Sequence, residues 1–224
     1  MISRQQRPPA HSVGSSPSGR RRSADSTAAL FVGASRLLRD AYAFAAEAHA
    51  GQLQESDDSP YIEHPLAVAR LLQRAGFGDE VVAAGLLHDT VEDCDVEPPE
   101  LERRFGSAVA GLVSAMTEPE RLTDFRTRKA AHRMQIADAG CEAAAIFAAD
   151  KVANVHSLRR AVADQGEDSV RRRLTKPFEQ KVEHYGRTLQ MLEDLQLPLS
   201  LVPMLRTELE GLEAERSQTH AYAS

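Results

Sequence analysis

The chain has 224 residues and a mass of 24.5 kDa, with 42% hydrophobic and 27% charged residues, as expected for one globular core with appendages. Aromatic residues are only 5%, there is no Trp, and alanine is abundant, which disfavours a β-sandwich or β-barrel and points to packed helices. A net charge of −6 argues against a general nucleic-acid binder, and no apolar run approaches the ~18 residues of a membrane span.

Residues 1–26 are rich in Pro, Ser, Gly and Arg. They carry Arg4, Arg7, Arg20, Arg21 and Arg22 against the single acid Asp25, leaving −10 on the rest of the chain. Such a segment cannot bury a core and reads as a disordered basic tail. The Arg run suits a tethering arm or a start codon assigned too early better than a twin-arginine export signal. Cys94 and Cys141 are too few for a disulfide scaffold and lack a CxxC spacing, so they read as reduced thiols of a cytoplasmic protein.

From Thr27 onward the pattern is helical. A first helix spans 28–50 and stops at Gly51, and a polar loop covers Gln52 to Pro60. A second helix opens near Pro65, with Val68, Leu71, Leu72 and Ala75 at helical spacing before Gly76. A third begins near Asp79, and a short fourth runs from Pro98 and Pro99 to Gly106. Further helices are expected over 107–117, 121–138, 142–162 and 168–196. No alternating strand segment competes, and no internal repeat is found. The expected organisation is a single all-α domain over 27–196 with a C-terminal helical extension and tail over 197–224. That extension could pack on the domain or on a second copy in a homo-oligomer.

The chemistry concentrates at the end of the third helix. The run Val81–Leu87 is apolar on every side, then gives way to His88-Asp89-Thr90-Val91-Glu92-Asp93. Read as one continuous helix, this places His88 over Glu92 and Asp89 over Asp93, with an imidazole and three carboxylates on one stripe. Carboxylates so close repel unless protons or a cation compensate. Mixed His and Asp ligands suit Mn²⁺, Fe²⁺ or Zn²⁺ better than Ca²⁺. The alternative is a solvated acidic helix end, which opposes the helix dipole. Two other residues could complete a metal site. His64, before Pro65 in the string Pro60-Tyr61-Ile62-Glu63-His64-Pro65, is either a helix cap or a ligand. Asp150 ends the apolar run AAAIFAAD, with Asn154 one turn on. A buried Asp needs a metal or a base such as Lys151 or Arg128.

Together these strings resemble the HD-domain phosphohydrolases, specifically the hydrolase domain of the RelA/SpoT type and its small free-standing relatives. The matching motifs are AxxAHAGQ (Ala45–Gln52), PYIEHPLAVA (Pro60–Ala69), AAGLLHDTVED (Ala83–Asp93), the FG of Phe105 and Gly106, the Arg128–Lys129 pair and AADKVANVHSLR (Ala148–Arg159), spread over about residues 36–195. The resemblance implies an HD-type helical bundle with one Mn²⁺ held by His64, His88, Asp89 and Asp150. It implies that Glu92 and Asp93 are the acid–base pair acting on metal-activated water. It also implies that Asn154 and Lys151 contact the nucleotide and Tyr61 walls the pocket. The reaction it implies is removal of the 3′-pyrophosphate from the alarmone guanosine tetraphosphate, with NADPH 2′-phosphate release as a related activity. A non-catalytic metal- and nucleotide-binding module ranks last, because it has no need of Glu92 and Asp93.

The chain departs from the family where substrate charge is met. Relatives carry an Arg-Lys pair between the GQ and PYI strings, whereas Leu53–Ser59 holds the acids Glu55, Asp57 and Asp58 and no base. The Arg expected two residues after Asn154 is His156. Both changes weaken the expected grip on a highly phosphorylated nucleotide, while Arg126, Arg128, Lys129 and Arg133 offer charge from another helix. The other histidines read as packing or surface residues, His49 as structural, and Cys94 as a packing residue.

Overall fold

The computed structural model describes residues 34–119, 121–197 and 199–222, with side chains up to Ser217 in the last helix. The basic tail and the first part of the helix expected over 28–50 lie outside the described residues. Ser35–Ser224 forms one compact unit. Its helices are α1 (Arg36–Ala48), α2 (Glu63–Arg74), α3 (Asp79–Leu87), α4 (Thr90–Asp93), α5 (Pro98–Phe105), α6 (Ser107–Met116), α7 (Phe125–Ala139), α8 (Cys141–Gln165), α9 (Glu167–Arg173), α10 (Phe178–Asp194) and α11 (Leu201–Tyr222). No strand is present among the described residues; Leu53 and Pro60 form an isolated bridge. The all-α expectation holds.

The helix starts follow from local chemistry. The Ser35 hydroxyl accepts from the Leu38 N–H and caps α1, and the Asp124 carboxylate accepts from the Thr127 N–H and caps α7. Pro98 sits in the first turn of α5, where its missing N–H costs nothing.

The 25-residue α8 is the axis. Its residues from Ala143 to Ala153 are buried without interruption, and α2, α3, α6, α7, α9, α10 and α11 pack against it. A helix apolar on all sides belongs at the centre of a bundle. On its outer side α3 packs on α1, α2 and α6. The close approach of α2 and α3 depends on Gly85: a Cβ there would lie 2.5 Å from Leu72 Cδ1.

Two expected helices divide. The stretch from Asp79 to Asp93 breaks at His88–Asp89 into α3 and α4. The stretch over 168–196 breaks at Leu174–Pro177, where Leu174 is extended and Pro177 cannot donate an N–H to a continuing helix. The helix expected from 121 begins at Phe125, after its Asp124 cap.

Candidate metal centre and the groups around it

The break between α3 and α4 sets the site. With α3 ended at Leu87, His88 turns inward and is 2% exposed, while Glu92 and Asp93 face solvent. The single stripe expected from a continuous helix is therefore split into a buried His88 and an exposed acidic pair. Thr90 fastens the turn by donating its hydroxyl to the Leu87 carbonyl at 2.7 Å.

His64 from α2, His88 from the α3 end and Asp150 from α8 converge. One ligand atom from each lies within 4.8 Å of the others, and all three residues are buried. His64 Nε2 is 3.3 Å from His88 Nε2 and 3.3 Å from Asp150 Oδ1. Asp89 Oδ2 is 3.1 Å from His88 Nε2 and 3.6 Å from His64 Nε2. Metal–ligand bonds of about 2.1 Å put neighbouring ligand atoms about 3.0–3.4 Å apart, so the cluster has the spacing of a coordination shell. The tautomer fits as well. His88 Nδ1 is 2.9 Å from the Gly85 carbonyl and donates to it, so Nε2 is the ring nitrogen turned toward the cluster. The group could hold a metal ion.

The electrostatics demand positive charge. Burial disfavours a charged His88, yet Asp89 and Asp150 outweigh it and hold its pKa well above the ordinary imidazole value. Burial would raise both carboxyls, but His88 beside Asp89, and Lys151 beside Asp150, keep them well below the usual carboxylate range. Lys151 and Asn154 both donate to the Asp150 carboxylate. Asp150 thus has the base partner foreseen in Lys151 as well as the possible ligands His64 and His88 beside it.

Around this buried core stand the remaining residues. Tyr61 donates its hydroxyl to Asp89 at 2.6 Å and reaches Asp93 Oδ2 at 3.1 Å, linking the core to the exposed acids. His49 stacks on Tyr61 at 4.7 Å, and its Nδ1 pairs with Gln52 at 2.9 Å. Gln52 in turn donates to the Asp93 carbonyl at 3.1 Å. Although the residue reaches solvent, partial desolvation of its carboxyl, with Glu118 and Asp89 nearby, pushes Glu92 up to about 7. Burial and Asp89 raise Asp93 as well. Glu118, which belongs to none of the sequence motifs, gives its backbone N–H to Glu92 and its carboxylate to Arg128 and Lys129.

An HD-domain family profile matches residues 41–176. The chain belongs to the HD-domain family. It is 37% identical over 134 residues to guanosine-3′,5′-bis(diphosphate) 3′-pyrophosphohydrolase MESH1 of Danio rerio, covering 57% of this chain and 72% of that protein. It is 47% identical over 94 residues to a Vibrio cholerae protein named guanosine-3′,5′-bis(diphosphate) 3′-pyrophosphohydrolase, covering 42% of this chain but only 13% of that longer one. Among solved structures, a metazoan orthologue of SpoT described as hydrolysing ppGpp shares the fold at a TM-score of 0.63 and 24% identity, over 81% of this chain and 96% of that one. A Listeria monocytogenes structure matches at a TM-score of 0.59 and 32% identity, over 69% of this chain and 99% of that one.

Within this HD domain the acidic loop is not bare charge. Glu55 pairs with Lys181 at 3.0 Å and accepts from the Thr175 hydroxyl at 2.6 Å, and these contacts hold its carboxyl low against the effect of burial. Asp58 pairs with Arg173, and Asp57 accepts from the Ser59 N–H at 3.0 Å. The repulsion expected from this loop is therefore largely met by cations of the α9–α10 region, which sequence distance hides. Arg128 and Lys129 are likewise engaged, by Glu118. His156 pairs with Glu208 of α11 at 3.1 Å. His132 and His184 are buried, at 3% and 5% exposure, around the Phe147 ring. No described helix is long and apolar enough to cross a membrane.

Proposed function

We propose that this chain is a metal-dependent phosphohydrolase that removes the 3′-pyrophosphate from guanosine 3′,5′-bis(diphosphate). The observation that carries the reading is the convergence of His64, His88 and Asp150, with Asp89 beside them, next to a carboxyl at Glu92 whose pKa lies at about 7. His64, His88, Asp89 and Asp150 would hold the ion; their mixed nitrogen and oxygen donors suit Mn²⁺, Fe²⁺ or Zn²⁺, and the resemblance to the RelA/SpoT-type hydrolases selects Mn²⁺. When bound, the ion supplies Lewis acidity and screens phosphate charge.

The chain's own groups do the rest. A carboxyl with a pKa near 7 gives and takes protons at neutral pH, so Glu92 and the adjacent Asp93, both exposed, are the acid–base pair, with Glu92 poised for the transfer. Tyr61 holds Asp89 and Asp93 in one geometry and walls the pocket. Lys151 and Asn154 each donate one N–H to Asp150, and their remaining N–H groups are the ones offered to the substrate.

A second reading, the same chemistry on another phosphoester such as the 2′-phosphate of NADPH, is favoured by the loop. Lys181 and Arg173 are neutralised by Glu55 and Asp58 instead of being free for a multiply charged nucleotide. The deciding experiment is a nucleotide panel with the Mn²⁺-loaded protein and product analysis. The first reading predicts metal-dependent pyrophosphate release from guanosine tetraphosphate. Cleavage of NADPH with the tetraphosphate left intact would move the assignment to the second reading, and no turnover of any member would overturn both.

A further inference from the structure

Glu118 lies in the connection between α6 and α7, and its side chain is 13% exposed. Its carboxylate is gripped from α7 on both oxygens. Arg128 Nε donates to Oε2 at 2.7 Å, and Lys129 Nζ meets Oε1. Two charge-assisted contacts from successive residues of one helix form a clamp that a neutral side chain could not hold as strongly. The peptide that carries this side chain also reaches Glu92: its N–H donates to Glu92 Oε1. The same segment is tied to α7 a second time. Gln135 Nε2 donates to the Ala115 and Thr117 carbonyls at 2.8 Å each, and Arg128 Nη1 donates to the Leu122 carbonyl at 3.2 Å.

The result is an unbroken chain of contacts from α7 to the exposed edge of the metal centre. Glu92 sits on a four-residue helix, too short to hold its side chain by helical propensity alone. The hydrogen bond given to Glu92 from outside its own element therefore decides where its carboxylate points. We propose that Glu118 is a positioning residue for the reaction: clamped by Arg128 and Lys129, it fixes the backbone whose N–H holds the Glu92 carboxylate at the edge of the metal centre. In this role Arg128 and Lys129 serve the acid–base group through Glu118. The inference rests on the assignment of Glu92 made above.

The test uses the full-length Mn²⁺-loaded protein and the best substrate from the nucleotide panel. Glu118→Gln keeps the shape and loses the clamp. It lowers kcat about tenfold or more, the scale of a misplaced acid–base group, with KM changed less than about twofold and metal per chain unchanged. Glu118→Asp, which keeps the anion, recovers part of the loss. In a Glu92→Gln background the Glu118→Gln change adds no further loss, because both act on one function. If Glu118→Gln does not fold, Arg128→Gln opens the same clamp and gives the same fall in kcat at near-constant KM.

Wild-type kcat in whichever of these folds, or a loss that multiplies fully in the Glu92→Gln background, overturns the inference. The two assignments fail differently. An active Glu92→Gln protein removes the acid–base assignment and this inference with it. An inactive Glu92→Gln protein alongside a fully active Glu118→Gln protein removes this inference alone.

Discussion

The two halves of the site are built in opposite ways. His64, His88 and Asp150 are buried and come from α2, the end of α3 and the central α8, whose mutual packing is fixed by Gly85, Leu72 and the apolar face of α8. Glu92 and Asp93 are exposed, stand on a four-residue helix, and take their positions from neighbours outside it: Tyr61, Gln52 and the backbone of Glu118. The contrast suits the chemistry proposed for each half. Ligands for a cation need fixed spacing and exclusion from water, which rigid packed helices provide. Groups that exchange protons need contact with water and a raised pKa, which a partly desolvated edge with neighbouring carboxyls provides.

If the buried half holds the metal, its loss should be the most severe change. Asp150→Asn removes a ligand charge and leaves Lys151 buried without its carboxylate. We expect metal content to fall below one-tenth of wild type and turnover to drop by about a thousandfold or more. Metal analysis with single-turnover kinetics checks this, and a metal-replete but inactive protein would break the division between the halves. A smaller effect is expected where the open half is moored. Glu55→Gln removes the charge paired with Lys181 and leaves Thr175 only a neutral acceptor, loosening the loop that carries Gln52. This should cost ~0.5–1 kcal/mol in stability with metal content unchanged, as measured by denaturant unfolding. Loss of metal in this variant would mean that the loop supports the buried half instead.

The back wall of the buried half gives a signal in pH instead. Burial and the neighbouring Lys151 push His132 down to about 4. A histidine lowered in the folded state stabilises the fold above its unfolded pKa of about 6.5. That stability is lost as pH falls from there toward the folded value, since the unfolded chain takes up the proton first. Melting at pH 7 and pH 5 should show a larger drop for wild type than for His132→Gln, a difference on the order of 2 kcal/mol or less. Equal drops would place the titration elsewhere.

The halves also differed in how far the sequence disclosed them. His88 and Asp89 stood out because an all-apolar helix ends in ionised residues, and Asp150 because it interrupts the apolar core of α8. Burial makes polar residues conspicuous, so the pattern marked His88, Asp89 and Asp150 as candidates, while their grouping with His64 as one ligand set came from the family resemblance. The open half depends on contacts between distant segments. Nothing local marks Glu118 as the partner of Glu92, or Lys181 and Arg173 as the partners of Glu55 and Asp58. The break at His88–Asp89 escaped the same reading, because its backbone stays near helical values, with His88 at φ −57° and ψ −31°, and the residues on either side suit a helix. It is this break that separates the two halves, and a continuous helix would have merged them on one stripe. Pro177 marked the second break, but the helical spacing of Tyr185, Leu189 and Leu192 drew a single helix across it.

The division itself is tested most directly by one measurement on the Glu92→Gln, Asp93→Asn double variant: bound metal per chain and turnover determined on the same sample. The account predicts wild-type metal content with turnover reduced by at least about a hundredfold. A protein that loses its metal, or one that keeps both metal and turnover, would contradict it.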